Sequence, residues 1–124
     1  MSKILIVDDS ATMRKIIKRV LRQADLPFDE VLEAANGLEG LEQLAAQPDI
    51  SLILSDVNMP EMDGLTMVAK VRETHGEDKV KIMMITTEGG EEIRGQAASA
   101  GANGYITKPF TPDSIKAALE RHAA

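Results

Sequence analysis

Ile4-Leu5-Ile6-Val7, running straight into Asp8-Asp9-Ser10, is the stretch on which the fold turns. Four consecutive branched aliphatic residues are too few for a helix. They do not alternate with polar residues either, so they read as a strand covered on both faces. The same signature recurs at Leu52 to Leu54 and at Ile82 to Ile85. Weaker versions at Val31 to Ala34 and Tyr105 to Thr107 belong nearer the edges of the sheet.

Helical periods separate these runs. Met13, Ile16, Ile17, Val20 and Leu21 make an apolar stripe at the spacing of one helix face. Leu38, Leu41, Leu44 and Ala45 repeat it, as do Leu65, Val68 and Ala69. Ile93, Ala97 and Ala100 give a thinner stripe, and Ile115, Ala118, Leu119 and His122 close the chain. Thr111-Pro112-Asp113 supplies an N-cap, a first-turn proline and a first-turn acid, which together start the last helix. The alternation of strand and helix predicts a parallel sheet with helices on both faces, joined by right-handed crossovers. One domain over residues 1–124 is expected, because no linker or low-complexity tract interrupts it and no output domain is expected after the last helix.

Composition removes several classes of function. Fourteen Lys and Arg against twenty Asp and Glu give a net charge of −6, which argues against nucleic acid and anionic membranes as partners. The absence of Cys excludes a disulfide framework, a thiolate metal site and a cysteine nucleophile. No apolar run approaches the ~20 residues of a membrane span, and the first residues, which run straight into Asp8 and Asp9, are not expected to act as a signal peptide. A cytoplasmic protein is the expectation. With one Tyr, two Phe and no Trp, few side chains could stack on a base or a flavin. His75 and His122 have no plausible companions for metal binding.

Ligands of open α/β sheets bind beyond the carboxyl ends of the strands. Asp8 and Asp9 follow the first strand, and the third ends at Asp56. The fourth ends in Thr86 and Thr87, and the fifth in Thr107 and Lys108, with Pro109 behind. Neighbouring strands would bring three carboxylates, a hydroxyl and an ammonium to one edge. Clustered carboxylates repel unless something compensates, and an all-oxygen set suits a hard cation such as Mg²⁺. Lys108 is then the counter-ion of whatever anion joins the metal. The bland alternative, in which such acids cap helices and sit in water, explains one Asp better than three with a Lys.

Five motifs carry a family resemblance: Asp8-Asp9-Ser10, Asp56-Val57-Asn58-Met59-Pro60, Met62-Asp63-Gly64, Thr86, and Tyr105-Ile106-Thr107-Lys108-Pro109-Phe110. In this order and spacing the chain resembles the receiver domains of two-component response regulators, most closely the CheY-like single-domain chemotaxis regulators. The likeness spans essentially the whole chain. It implies a doubly wound five-stranded parallel sheet of order 2-1-3-4-5 with five helices, the flavodoxin-like or CheY-like fold. It implies that Asp56 accepts a phosphoryl group from a kinase phosphohistidine. Asp9, Asp56 and the backbone carbonyl of Asn58 would ligate Mg²⁺ directly, and Asp8 through a bound water. Lys108, after a cis bond to Pro109, and the Thr86 hydroxyl would hold phosphoryl oxygens. Tyr105 would turn inward as Thr86 moves, and Asn58 and Glu88 would face the attacking water and tune turnover.

By the same resemblance the protein is a switch, not an enzyme beyond its own phosphotransfer and autodephosphorylation. A CheA-like histidine kinase or a phosphotransfer domain would stand upstream. The flagellar motor switch would read the fourth helix, fifth strand and fifth helix. Val57 beside the acceptor and the acidic Glu91-Glu92 depart from the chemotaxis pattern, so a phosphorelay intermediate or a phosphate sink stays open. A haloacid-dehalogenase-like phosphohydrolase would want an Asp where Asn58 stands, and a flavodoxin-like carrier a Ser/Thr/Gly loop where Asp8-Asp9 stands. Glu88-Gly89-Gly90-Glu91-Glu92 reads as a turn that also moves between inactive and active states. Arg14, Lys15, Lys18, Arg19 and Arg22 give the first helix five bases and no acid, a solvated face or a docking face for an acidic partner.

Overall fold

The computed structural model describes residues 3–24, 30–57, 59–76, 79–86, 91–107 and 111–123. Strands and helices alternate along the chain: β1 (Lys3–Val7), α1 (Ala11–Gln23), β2 (Glu30–Ala34), α2 (Gly37–Ala46), β3 (Ile50–Asp56), α3 (Gly64–Thr74), β4 (Lys81–Thr86), α4 (Glu91–Ala100), β5 (Gly104–Thr107) and α5 (Pro112–Ala123). The five strands pair in parallel in the order β2-β1-β3-β4-β5. The two weak apolar runs are indeed the edge strands.

Alternate residues of the central strands feed two separate cores, which is why those strands show no polar alternation. Leu5, Val7, Ile53, Ile82 and Met84 join Leu44, Met67, Val68, Val71 and Ala97 of α2, α3 and α4. Ile4, Ile6, Leu52, Leu54, Met83 and Ile85 join Ile17, Val20, Leu21 and Ile115 of α1 and α5.

Register fixes the functional edge. Val7 pairs with Ser55, so Asp8 stands one step on, level with Asp56. Asp56 pairs with Ile85, and Thr86 with Thr107.

Three helix stripes differ from expectation. Ile16 is 40% exposed and Leu38 49% exposed, and Ala45 and Ala69 face solvent. On α2 the buried face is Gly37, Gly40 and Leu44. A Cβ on Gly40 would come within 2.7 Å of the Met67 sulfur and 3.3 Å of Val7, so close approach of α2 to α3 and β1 turns the helix onto its glycines. A periodicity count that credits only large side chains misses such a face. At the α5 start the expectation holds: Thr111 Oγ1 accepts from the Ser114 amide at 3.1 Å, and Ser114 Oγ accepts from the Thr111 amide at 2.8 Å.

Away from the functional edge, Arg72 of α3 ties together the segments that lead into β4 and β5. Its guanidinium donates to the carbonyls of Gly101 and Val80, both at 2.8 Å, and to Asn103 Oδ1 at 2.8 Å. That clamp sets where β5 begins, and with it where Tyr105 lies.

Candidate functional site

Asp8 leaves β1 with its backbone and side chain both engaged. Its N–H donates to the Ala34 carbonyl at 3.0 Å, and its Oδ1 accepts from the Ser10 amide at 2.9 Å. Ser10 in turn caps α1, its Oγ accepting from the Met13 amide at 3.1 Å. The result is a tight turn that buries Asp8, 2% exposed, and leaves Asp9 exposed at the rim.

Asp56 is half-buried at the end of β3, and its Oδ1 accepts from the Val57 amide at 2.8 Å. The chain then folds back on itself: the Gly64 amide donates to the Val57 carbonyl at 2.8 Å, and Asp63 caps α3 through the Thr66 amide at 2.7 Å. Within that loop Glu61 adopts a left-handed φ of 67°, unusual for a residue with a side chain. The Met62 carbonyl accepts from the Gly37 amide at 3.0 Å, which braces the loop on the start of α2.

These turns bring one carboxylate oxygen from each of Asp8, Asp9 and Asp56 within 4.8 Å of one another. Among the described residues this is the one such group of metal-ligating side chains. The donors are all hard oxygens, which fit Mg²⁺ or a similar cation and disfavour softer transition metals. An ion binding this cluster in the folded chain and not in the unfolded one adds stability by mass action. At ten times its dissociation constant the gain is about 1.4 kcal/mol, or roughly 3–6 °C for a chain of this size. Melting curves at constant ionic strength should therefore move up with millimolar Mg²⁺, and much less after Asp9→Ala. A curve indifferent to Mg²⁺ would count against the cluster as a cation site.

The other expected site residues are placed less completely. Thr86 ends β4 beside Thr107, and its side chain lies outside the described residues. Asn58, Glu88, Lys108 and the Lys108-Pro109 bond also lie outside them, as do the two glycines after β4. Tyr105 of β5 is half-buried and packs against the core on the α4 side.

The basic face of α1 divides in two. Arg14 and Lys18 are not free bases: Arg14 Nε meets Glu33 Oε1 at 2.9 Å and Lys18 Nζ meets Glu33 Oε2 at 3.2 Å. Partial burial pushes the Glu33 carboxyl upward, but hydrogen bonds and charge from Lys18 and Arg14 outweigh it and hold the group below its ordinary value. Lys15, Arg19 and Arg22 remain exposed, and with Lys18 they line a shallow groove. This division is not visible in the α1 sequence, because the acid that pairs with the helix comes from β2.

Comparison with known proteins gives a consistent result. The family model for the response regulator receiver domain matches residues 4–120. The chemotaxis protein CheY1 of Helicobacter pylori is 49% identical over 118 residues, which cover 95% of this chain and 94% of that protein. A chemotaxis protein CheY homolog of Campylobacter jejuni is 48% identical over 118 residues, covering 95% and 89%. Among solved structures, the chemotaxis protein CheY4 of Vibrio cholerae superposes with a TM-score of 0.86 at 36% identity, over 98% of both chains.

Proposed function

The chain belongs to the response regulator receiver family, and from that premise we propose that it is a chemotaxis response regulator switched by phosphorylation of Asp56. The observation that carries the proposal is the convergence of Asp8, Asp9 and Asp56 at the carboxyl edge of the sheet. In this reading residues 1–124 act as one receiver domain, working in the cytoplasm. A phosphohistidine of a CheA-like kinase or a phosphotransfer domain presents its phosphorus to the Asp56 carboxylate. The O–P bond forms as the N–P bond breaks, and the imidazole keeps the electron pair. The Val57 amide holds Oδ1 of Asp56 and so orients the carboxylate for attack.

Asp9, Asp56 and the Asn58 carbonyl would hold Mg²⁺, with Asp8 one water away. The bound cation would neutralise charge on the carboxylates and on the transferring group, which is most of what phosphoryl transfer asks of a protein. Lys108 and Thr86 would hold phosphoryl oxygens, while Asn58 and Glu88 would set how fast water removes the group. Output would be a protein–protein contact on α4, β5 and α5, with the flagellar motor switch as the target. The high similarity to chemotaxis proteins along nearly the full chain favours this setting over a phosphorelay intermediate or phosphate sink. Incubation with acetyl phosphate should add one phosphoryl group by intact mass, stable in acid and labile in base, only when Mg²⁺ is present. Failure to label under those conditions would overturn the proposal.

Lys108 should matter more after phosphorylation than before it. In this reading Lys108→Ala would remove a counter-ion of the carboxylates but leave the nucleophile, so labelling should persist. Without the ammonium, the modified state lacks contacts that distinguish it from the resting one. Amide NMR with beryllofluoride, a mimic of the aspartyl phosphate, tests this. Wild type should shift at Thr86, Tyr105 and α4, and Lys108→Ala mainly near Asp56. Equal distant shifts in both proteins would remove Lys108 from the coupling.

A further inference from the structure

Arg14 of α1 reaches the functional edge. Its Nη1 donates to the Asp8 carbonyl at 2.6 Å while its Nε donates to Glu33 Oε1 at 2.9 Å. The same Asp8 donates its N–H to the carbonyl of Ala34, next along β2 from Glu33. A closed circuit results: β1 end to α1 through Arg14, α1 to β2 through Glu33, and β2 back to the β1 end through Ala34. Lys18 grips the second oxygen of Glu33 at 3.2 Å, and Gln43 Nε2 of α2 donates to the Glu33 carbonyl at 3.4 Å, so Glu33 is held from both layers. The circuit grips the Asp8 backbone on both sides, including the carbonyl of the peptide that joins Asp8 to Asp9, and both of those acids belong to the carboxylate cluster.

We propose that Arg14, anchored by Glu33, is a positioning residue that holds the β1–α1 turn in the geometry required for divalent cation binding by Asp8, Asp9 and Asp56. The inference rests on the reading of that cluster as a cation site. Arg14 touches no proposed reacting atom; it acts through the Asp8 carbonyl. A planar guanidinium suits the task, because its rigid fork serves two acceptors at once, which a lysine ammonium on a flexible stem cannot do with the same geometry.

Electrostatics alone predicts the opposite outcome. A cation beside the acids repels Mg²⁺, so removing its charge should tighten Mg²⁺ binding, and Arg14→Lys should change nothing. Positioning predicts that Arg14→Lys and Arg14→Gln both weaken binding. Loss of an outer partner of a metal ligand costs about tenfold or more in affinity. Glu33→Gln should weaken it in the same direction. Lys18→Ala, which leaves the Arg14 contact to Asp8 in place, should stay within about twofold, since a half-exposed charge counts for little.

The experiment is titration of the full chain with Mg²⁺ alone, followed by amide NMR. Melting in the presence of a chelator verifies that each variant is folded. Hydrogen exchange at the Asp8 and Ser10 amides is measured alongside, without metal. The expected result is weaker Mg²⁺ binding in both Arg14 variants, with exchange at those two amides faster by about tenfold. Binding by Arg14→Lys equal to wild type, or tighter binding by Arg14→Gln, would overturn the proposal. If wild type itself takes up no Mg²⁺, the cation-site reading fails, and with it the proposed role toward the ion. Unchanged exchange at Asp8 and Ser10 in Arg14→Lys refutes the circuit whatever the metal does.

Discussion

Asp56→Asn is expected to give a folded protein that takes up no phosphoryl group. The amide has nearly the size of the carboxylate, and its oxygen can still accept the Val57 N–H, so the loop after β3 keeps its anchor. What disappears is the anionic oxygen proposed to attack phosphorus, and a neutral amide is no substitute as a nucleophile. One of three clustered negative charges disappears too, so the metal-free variant should melt no lower than wild type. Its gain from Mg²⁺ should shrink for the same reason. Intact mass after acetyl phosphate and Mg²⁺ reads the first effect, and melting curves read the second. Labelling at the wild-type level would move the acceptor to another residue.

Gly64→Ala should damage both the fold and the site. The Cβ would land on the backbone oxygen of Asp56, within 2.8 Å of the Met84 methyl and 3.0 Å of the Ser55 hydroxyl oxygen. Ser55 is fully buried and already donates to that same Asp56 carbonyl at 2.9 Å, so neither group can swing aside cheaply. Either α3 lifts away, breaking the Gly64 bond to the Val57 carbonyl, or the end of β3 shifts and carries Asp56 with it. Overpacking of this kind costs about 3 kcal/mol, a melting temperature lower by roughly 10 °C. Phosphoryl uptake should fall as well, because the backbone of the proposed acceptor moves. Gly95→Ala on α4 is the control: nothing lies within 4 Å of its Cβ, and alanine in a helix should add about 0.5–1 kcal/mol. A Gly64→Ala protein that melts with wild type would show that the close approach is not needed.

The fold was legible because its signals are local. Strand runs, helix stripes and the capped start of α5 each lie within a few consecutive residues, and their alternation leaves few arrangements. The strand order came through family resemblance, and the structure bears it out. The acids of the site were legible as well, because Asp8 and Asp9 come straight after β1 and Asp56 ends β3. Where the structure departs from local pattern, the deciding contact is distant in sequence. The inward face of α2 depends on Met67 and Val7 crowding Gly40, and the division of the α1 bases depends on Glu33.

By itself, the sequence determined which elements form, that they make a parallel doubly wound sheet, and that three carboxylates lie at its carboxyl edge. Hydrophobic period, turn residues and the position of each acid at the carboxyl end of its strand suffice for that. Only the tertiary structure decided that one oxygen from each acid falls within 4.8 Å, because that spacing depends on the register of β1 against β3. It alone decided that Gly64 must have no side chain, that Arg72 clamps carbonyls from two connections, and that Arg14 spans from Glu33 to the Asp8 backbone. Each of these is a contact between residues that the chain separates and the fold reunites. Local preference carries no information about such a contact until packing has set the distance.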